Sequence, residues 1–311
     1  MQNKEKTIYA LGFFDGVHLG HQALLRACRN LAEQHGCRSG VVTFDAHPEK
    51  TLLGSAPELI NSPEDRQILI RQQGIDAIVS MPFDDNLRKM PWQDFLRLLL
   101  TRHNAAGLVC GEDFRFGHKG QGTAALLQQF CREEKIPCAI IPQQFVDGIR
   151  VSSSHIRSLL EKGDVAKAKA FLGRAHLLTG EVISGRGIGR TMGIPTANMA
   201  VSADILLPRQ GVYACTAAVE GKTYPAVTNI GSRPTVGGHH VTVEPWLLDF
   251  AGDLYEKKLT LFFHAYLRPE EKFDSLEALQ KQIREDAEKT RIILKNILKS
   301  QEVNAKKCKK F

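Results

Sequence analysis

A change of rhythm near Gly173 constrains the architecture of this 311-residue chain more than any other feature. Before it, short apolar runs at 8–11, 40–44, 77–81, 107–110 and 138–141 read as buried strands. Helical segments separate them. Asn61-Ser-Pro-Glu64 supplies a capping residue followed by proline at the first helical position, opening a helix that ends near Gly74. Residues 92–102 and 123–135 are amphipathic, and 153–161 and 164–172 read as two further helices. This alternation predicts an α/β, Rossmann-like parallel sheet with helices on both faces, and such sheets bind ligands beyond the carboxyl ends of their strands. After Gly173, runs at 177–183, 212–219, 223–229, 241–247 and 259–267 follow one another without helices. They predict an antiparallel barrel or sandwich, closed by a long charged helix from Ser275 to about Lys299. The expected domains are therefore 1–173 and 174–311.

The turn from the first strand into the first helix reads Gly12-Phe-Phe-Asp-Gly-Val-His-Leu-Gly-His21. His18 and His21, three residues apart, fall on one face of the first helical turn. Free backbone N–H groups and the helix dipole collect anions there. Gly16 and Gly20 remove side chains that would hold a phosphate off the backbone, and Asp15 adds an acid. The combination fits a nucleotidyltransferase of the H-x-G-H kind, in which the histidines stabilise charge on the phosphate under attack. The plainer alternative is a turn whose histidines cap or pack. Asp45 and His47 follow the second strand, a polar pair that also suits an Asx turn. Gly111-Glu-Asp-Phe-Arg-Phe-Gly117 follows the fourth. Its Phe114 and Phe116 beside Arg115 suit stacking on a flat ring, or anchoring of a surface loop. All three segments fall on one rim of the sheet. Val151-Ser-Ser-Ser-His-Ile-Arg157 opens a helix with hydroxyls and an arginine, a phosphate-binding arrangement as well as a cap.

In the second half, Gly180, Gly185, Gly187, Gly189 and Gly193 with Arg186 and Arg190 lead into Ile194-Pro-Thr-Ala-Asn198. Backbone amides of such a loop wrap polyphosphate, although the G-x-x-x-x-G-K-[ST] spacing is absent. Thr196 and Asn198 offer oxygens to a Mg²⁺ shell shared with ATP phosphates; a hairpin loop closed by a proline turn is the alternative. Glu244 lies in an apolar strand, where burial is costly, and suits a general base that takes a hydroxyl proton; simple exposure is the other reading.

The net charge of +7 looks like a nucleic-acid footprint until it is located. Lys306, Lys307, Lys309 and Lys310 carry four of those charges, leaving a body of +3 that suits anionic nucleotides. No apolar run approaches membrane-spanning length, and Met1-Gln-Asn-Lys-Glu-Lys6 has no long apolar segment behind it, so neither a membrane span nor a signal peptide is expected. Seven cysteines without a C-x-x-C pair predict reduced, mostly buried thiols in a cytoplasm. Small molecules are the expected partners, with no nucleic acid and no membrane.

With these residues in hand, the chain resembles the bifunctional bacterial riboflavin kinase/FMN adenylyltransferase (FAD synthetase) family over nearly its whole length. The resemblance is carried by GFFDGVHLGH at Gly12, TFDAHPEK at Thr43, GEDFRFG at Gly111, VSSSHIR at Val151 and GDVAKAKAFLGR at Gly163. MGIPTAN at Met192, LLPRQGVYA at Leu206, NIGSRPTV at Asn229, VEPWLLDF at Val243 and LRPEEKF at Leu267 continue it. It implies a Rossmann-like nucleotidyltransferase sheet and a riboflavin-kinase-like barrel. ATP would phosphorylate riboflavin to FMN in the barrel, and FMN would attack a second ATP in the first domain to give FAD and pyrophosphate, with Mg²⁺ as cofactor. By motif, His18 and His21 would stabilise the adenylyl transition state. Asp15, Gly20, Asp113, Ser153, Ser154 and Arg157 would hold that ATP, and Asp45, His47, Phe114 and Phe116 the flavin. In the kinase, Gly185, Gly187, Gly189, Arg190 and Gly193 would hold ATP, Thr196 and Asn198 its Mg²⁺, and Glu244 would deprotonate the ribityl hydroxyl. The chain departs from the family pattern at Ala46 (commonly proline), Ser154 (threonine) and Glu256 (glycine). Pro245 and Trp246 stand after Glu244 where an aliphatic residue and histidine are usual. A proline there removes a ladder donor, and this leaves a second reading open: adenylyl transfer alone, with the barrel a flavin-binding module of impaired kinase activity.

Overall fold

The computed structural model describes residues 5–47, 56–184, 193–235 and 238–308. Two compact units divide the chain, Met1–His155 and Ile156–Phe311.

The first unit runs β1 (Thr7–Leu11), α1 (Leu19–Gln34), β2 (Arg38–Phe44), α2 (Pro63–Gln72), β3 (Ala77–Met81), α3 (Asp85–Lys89), α4 (Trp92–Arg102) and β4 (Ala105–Gly111). A small hairpin of β5 (Arg115–Phe116) and β6 (Gly122–Thr123) follows, then α5 (Ala124–Glu133) and β7 (Cys138–Ile141). A second hairpin, β8 (Phe145–Val146) with β9 (Ile149–Arg150), precedes α6 (Ser153–Glu161). The sheet order is β3-β2-β1-β4-β7, and every pairing in it is parallel. All five residues of β1 are buried, as a central strand covered on both faces requires. Tyr9 and Leu11 meet Phe95 and Leu99 of α4 and Leu127 and Phe130 of α5. On the other face the Cys28 thiol of α1 donates to the Ile8 carbonyl at 3.1 Å. The capping signals act as read: Ser62 Oγ accepts the Asp65 N–H at 3.0 Å, with Pro63 first in α2.

In the second unit, α7 (Val165–Leu172) is capped by Asp164, which accepts the Lys167 N–H at 3.1 Å, and it ends at Gly173 with φ 72°. A closed barrel follows, built from β10 (His176–Ile183), β11 (Asn198–Ala200), β12 (Gly211–Val219), β13 (Lys222–Thr235), β14 (Gly238–Leu247) and β15 (Lys258–Arg268). Its order is β10-β11-β14-β13-β12-β15, with antiparallel pairings. Glu220 and Gly221, at φ 49° and 76°, make the two-residue turn between β12 and β13. β11 is not among the strands expected from the sequence: three residues are too few to display a period, and it acts by bridging β10 to β14. α8 (Leu276–Cys308) runs beyond its expected end near Lys299. Its Ala287 joins Val212, Val227 and Leu248 in an apolar cluster beside Trp246 and Leu267. Asp286, fully buried, takes the Arg268 guanidinium at 2.9 Å.

Two histidines of this unit give it a pH dependence. His176 is fully buried, with no hydrogen-bond partner for its ring among the described residues, and burial pushes its pKa down to about 3. Burial, helped by Lys169, lowers His264 to about 4. Both stay neutral in the fold while the unfolded chain takes up protons below its ordinary pKa of about 6.5. Stability is therefore expected to fall as pH drops from about 6.5 towards 4, by up to about 1.4 kcal/mol per pH unit for each proton. Denaturant unfolding of His176→Leu across that range should show a shallower slope; an unchanged slope would contradict this assignment.

Candidate active sites

The strand-to-helix turn after β1 is tightly wound. Phe14, Gly16 and Val17 have φ of 62°, 81° and 39°, an uncommon conformation for a β-branched residue such as Val17. The turn is braced from several sides. Thr43 Oγ1 donates to the Phe13 carbonyl at 3.0 Å, and Gln22 Nε2 to the Val17 carbonyl at 2.9 Å. His18 then serves as N-cap of α1, its Nδ1 accepting the His21 N–H at 3.3 Å. That acceptor role puts the hydrogen of a neutral His18 ring on Nε2, making that atom a donor. The two imidazoles stack with centroids 3.6 Å apart and planes within 14°. Gly20 keeps this stack possible, since a Cβ there would lie 3.1 Å from the His18 ring.

Both histidines open onto a cleft of about 400 Å³ at the carboxyl ends of the strands. Gly20, Asp113, Phe114 and Ser153 line it too, so three distant segments of the sequence reading meet at one place. Ser153 Oγ donates to the Asp15 carbonyl at 2.9 Å, tying the start of α6 to the histidine turn. Residues that sequence reasoning passed over also line the cleft: Phe13, Phe44, Gln143, Gln144 and Arg150. Arg150 forms an ion pair with Asp113. Its position immediately before the Val151–Arg157 segment was the available signal.

Four expected ligand residues are placed otherwise. Asp15 is buried, and its carboxylate accepts the Ile60 N–H at 3.0 and 3.3 Å, so it braces the turn instead of facing a phosphate. Asp45 Oδ1 accepts the N–H groups of Ala46 and Phe83, at 2.7 and 3.3 Å, which makes it a turn-former. Phe116 is a core residue between Phe95 and Trp92, with centroids at 5.9 and 6.4 Å, and it stacks beneath Phe114. Ser154 is exposed and does not line the cleft. His47 reaches the wall indirectly, its ring meeting Phe13 edge-on at 4.8 Å. Arg157 lies on α6, in the stretch that belongs to the second unit. Phe116→Leu is accordingly expected to cost about 1–2 kcal/mol in denaturant unfolding while leaving KM for whatever the cleft binds unchanged. A raised KM without loss of stability would return Phe116 to the ligand.

The barrel holds a second, smaller pocket of about 100 Å³, lined by Thr196 and Asn198 together with Ile183, Leu247, Phe250 and Tyr255. Gly193 has φ 68°, which suits glycine. Gly185, Gly187, Gly189 and Arg190 lie outside the described residues. Glu244 is placed by register. It stands opposite Asn229 of β13, while Met199 of β11 stands opposite Val243 and the Ala197 N–H donates to the Pro245 carbonyl at 2.9 Å. Asn198 therefore lies opposite Glu244, and the three side chains form one row across β11, β14 and β13. Buried Val243, Pro245 and Leu247 alternate with half-buried Thr242, Glu244 and Trp246, so this row faces away from the barrel interior. Thr242 Oγ1 donates to Glu244 Oε1 at 2.8 Å, and Asn229 Nδ2 donates to Glu270 at 3.0 Å. The missing N–H of Pro245 points towards Ala197, on the side where β11 is ending, and the ladder to β13 that aims Glu244 is intact.

Comparison with known proteins gives a family for each half of the chain. Residues 1–155 match the family model for FAD synthetase, and residues 172–294 that for riboflavin kinase. A bifunctional riboflavin kinase/FMN adenylyltransferase of Pseudomonas fluorescens is 36% identical over 294 residues, 92% of each chain. Those of Listeria monocytogenes serovar 1/2a and Bacillus subtilis strain 168 are each 32% identical, over 91% and 96% of both chains. Among solved structures, one described as a macrolide-efflux protein from Streptococcus pneumoniae is 28% identical, with a TM-score of 0.86, covering 94% of this chain and 95% of that one. Among the described residues no helix is long and apolar enough to cross a membrane.

Proposed function

Because this chain belongs to the bifunctional riboflavin kinase/FMN adenylyltransferase family, we propose a division of labour between the two pockets described above. The protein is a transferase with two activities: ATP phosphorylates riboflavin to FMN, and ATP then adenylylates FMN to FAD with release of pyrophosphate. The reading with adenylyl transfer alone is set aside, since both families are matched and Pro245 leaves Glu244 in register.

In this reading the 400 Å³ cleft adenylylates FMN. The observation that carries it is the stacked His18–His21 pair at the N-terminus of α1, opening onto a cleft with a polar and an aromatic side. Arg150, Asp113 and Ser153 take the ATP. Phe13, Phe44 and Phe114 offer flat surfaces to the isoalloxazine, with His47 behind Phe13. An FMN phosphate oxygen attacks the α-phosphorus while the imidazoles donate to its non-bridging oxygens. Preorganised donors at a helix N-terminus are suited to this, because in-line phosphoryl chemistry depends mainly on positioning and charge stabilisation.

The barrel performs the kinase step, with Glu244 outside the pocket lining but on the row it shares with the pocket-lining Asn198. Glu244, held by Thr242, takes the proton of the ribityl hydroxyl as that oxygen attacks the γ-phosphorus and ADP leaves, and Asn198 and Asn229 flank it. Enzymes of both kinds use ATP with a divalent metal, and here we assign Mg²⁺ to Thr196 and Asn198. Their neutral hydroxyl and amide oxygens at the mouth of the pocket suit a hard ion that keeps water and phosphate ligands. When bound, the ion neutralises charge on the transferred phosphoryl group. The boundary at 173/174 belongs to this proposal, supported by the kinase match that begins at residue 172; residues 156–171 lie between the two matched regions and within the second compact unit. So does a cytoplasmic location, which the free thiols of Cys28, Cys37, Cys110, Cys131, Cys138 and Cys215 support.

Incubation of the purified protein with riboflavin, ATP and Mg²⁺, followed by chromatography, should show FMN rising first and FAD after it. FAD from supplied FMN but none from riboflavin would favour the single-activity reading, and neither product would end the proposal.

A further inference from the structure

Arg66 is the largest fully buried side chain of the first unit, with 2% of its surface exposed. On α2 it shares a face with the buried Leu69 and Ile70, a position where a helix ordinarily carries an apolar residue. Its guanidinium carbon lies 4.3 Å from the centroid of the Phe13 ring, and Nη2 donates to the Phe44 carbonyl at 2.7 Å. Nε and Nη1 are buried without a hydrogen-bond partner among the described residues. Asp15, Asp45 and Glu64 supply negative field around it, against the burial that disfavours its charge.

A packing role alone does not account for this group. Buried donors left unpaired cost stability, and an apolar side chain of similar volume would fill the space more favourably. What Arg66 does hold is the rim of the cleft. Phe44 ends β2, Phe13 lies two residues beyond β1, and both line the cleft that His18 and His21 open onto. Thr43 fixes the Phe13 backbone while Arg66 fixes its ring by a cation–π contact.

We propose that Arg66 is a positioning residue for adenylyl transfer, locking Phe13 and the end of β2 so that the aromatic side of the cleft presents a fixed flat surface to the flavin ring of FMN. The proposal rests on reading the cleft as the FMN adenylylation site. Because the kinase step runs in the other unit, its rate normalises for the amount of intact chain, while kcat and KM for ATP of the adenylyl transfer report the fold of the first unit. Arg66→Met is expected to raise KM for FMN on the order of tenfold, with kcat and KM for ATP within about twofold and the kinase rate unchanged. Arg66→Lys, which keeps the charge over the ring, should recover much of that loss. Phe13→Leu should reproduce the rise, and the double variant should be no worse than Phe13→Leu alone.

An unchanged KM for FMN in Arg66→Met, an equal rise in KM for ATP, or multiplying effects in the double variant would overturn the proposal. Should Arg66→Met fail to accumulate as folded protein, Arg66→Lys and Phe13→Leu decide by the same criterion: wild-type KM for FMN in Phe13→Leu refutes it. Wild-type protein that makes no FAD from FMN would instead refute the reading on which the proposal rests.

Discussion

His21→Ala is expected to slow FAD formation from FMN by about 10²- to 10³-fold, the scale set by removing one preorganised donor from a charge-stabilising site. FMN formation from riboflavin should continue at the wild-type rate. The histidine stack explains why His21 is the cleaner probe of the pair. His18 caps α1 through Nδ1 and is buried, so its loss also removes a cap. The ring of His21 leans on His18 at 3.6 Å and on Phe14 at 5.2 Å, and its removal leaves the cap atom in place. Initial rates with each flavin supplied separately give the measurement. A loss below tenfold would show that the imidazole contributes packing and little charge stabilisation.

Glu244→Gln is expected to do the reverse. The amide keeps the shape and retains a hydrogen bond with Thr242, but it cannot accept the hydroxyl proton. FMN formation should fall by about 10²- to 10⁴-fold, the range for loss of a positioned general base. FAD formation from supplied FMN should be unaffected. Pro245 makes the position informative. Its missing donor is turned to Ala197, so Glu244 keeps its place opposite Asn229. A Glu244→Gln variant that phosphorylates riboflavin at the wild-type rate would remove Glu244 from the chemistry.

Local features of the sequence were legible where the physics is local. Apolar runs gave the strands, Ser62-Pro63 gave the start of α2, and the i, i+3 spacing of His18 and His21 put two rings on one face. The second kind of information, which side chain meets which across the sheet, was not. Asp15 stands in the middle of the H-x-G-H turn, yet its carboxylate belongs to Ile60, 45 residues on. Phe116 and Phe114 are indistinguishable by composition, and β5 turns the first into the core and the second towards the cleft. Alternation along β14 allows two faces for Glu244, and only its pairing with β11 and β13 selects one. Arg66 had a visible signal in hindsight, a charge among Leu69 and Ile70 on an apolar helical face.

The central claim, two separate sites that pass FMN from one reaction to the next, is tested most directly by mixing two variants. Neither His21→Ala nor Glu244→Gln should convert riboflavin to FAD alone: the first should stop at FMN, and the second should leave riboflavin untouched. Combined in one tube with ATP and Mg²⁺, they should yield FAD, because each supplies the site the other lacks and FMN crosses through solution. A mixture that accumulates FMN and never FAD, or a single variant that loses both reactions while remaining folded, would contradict the account.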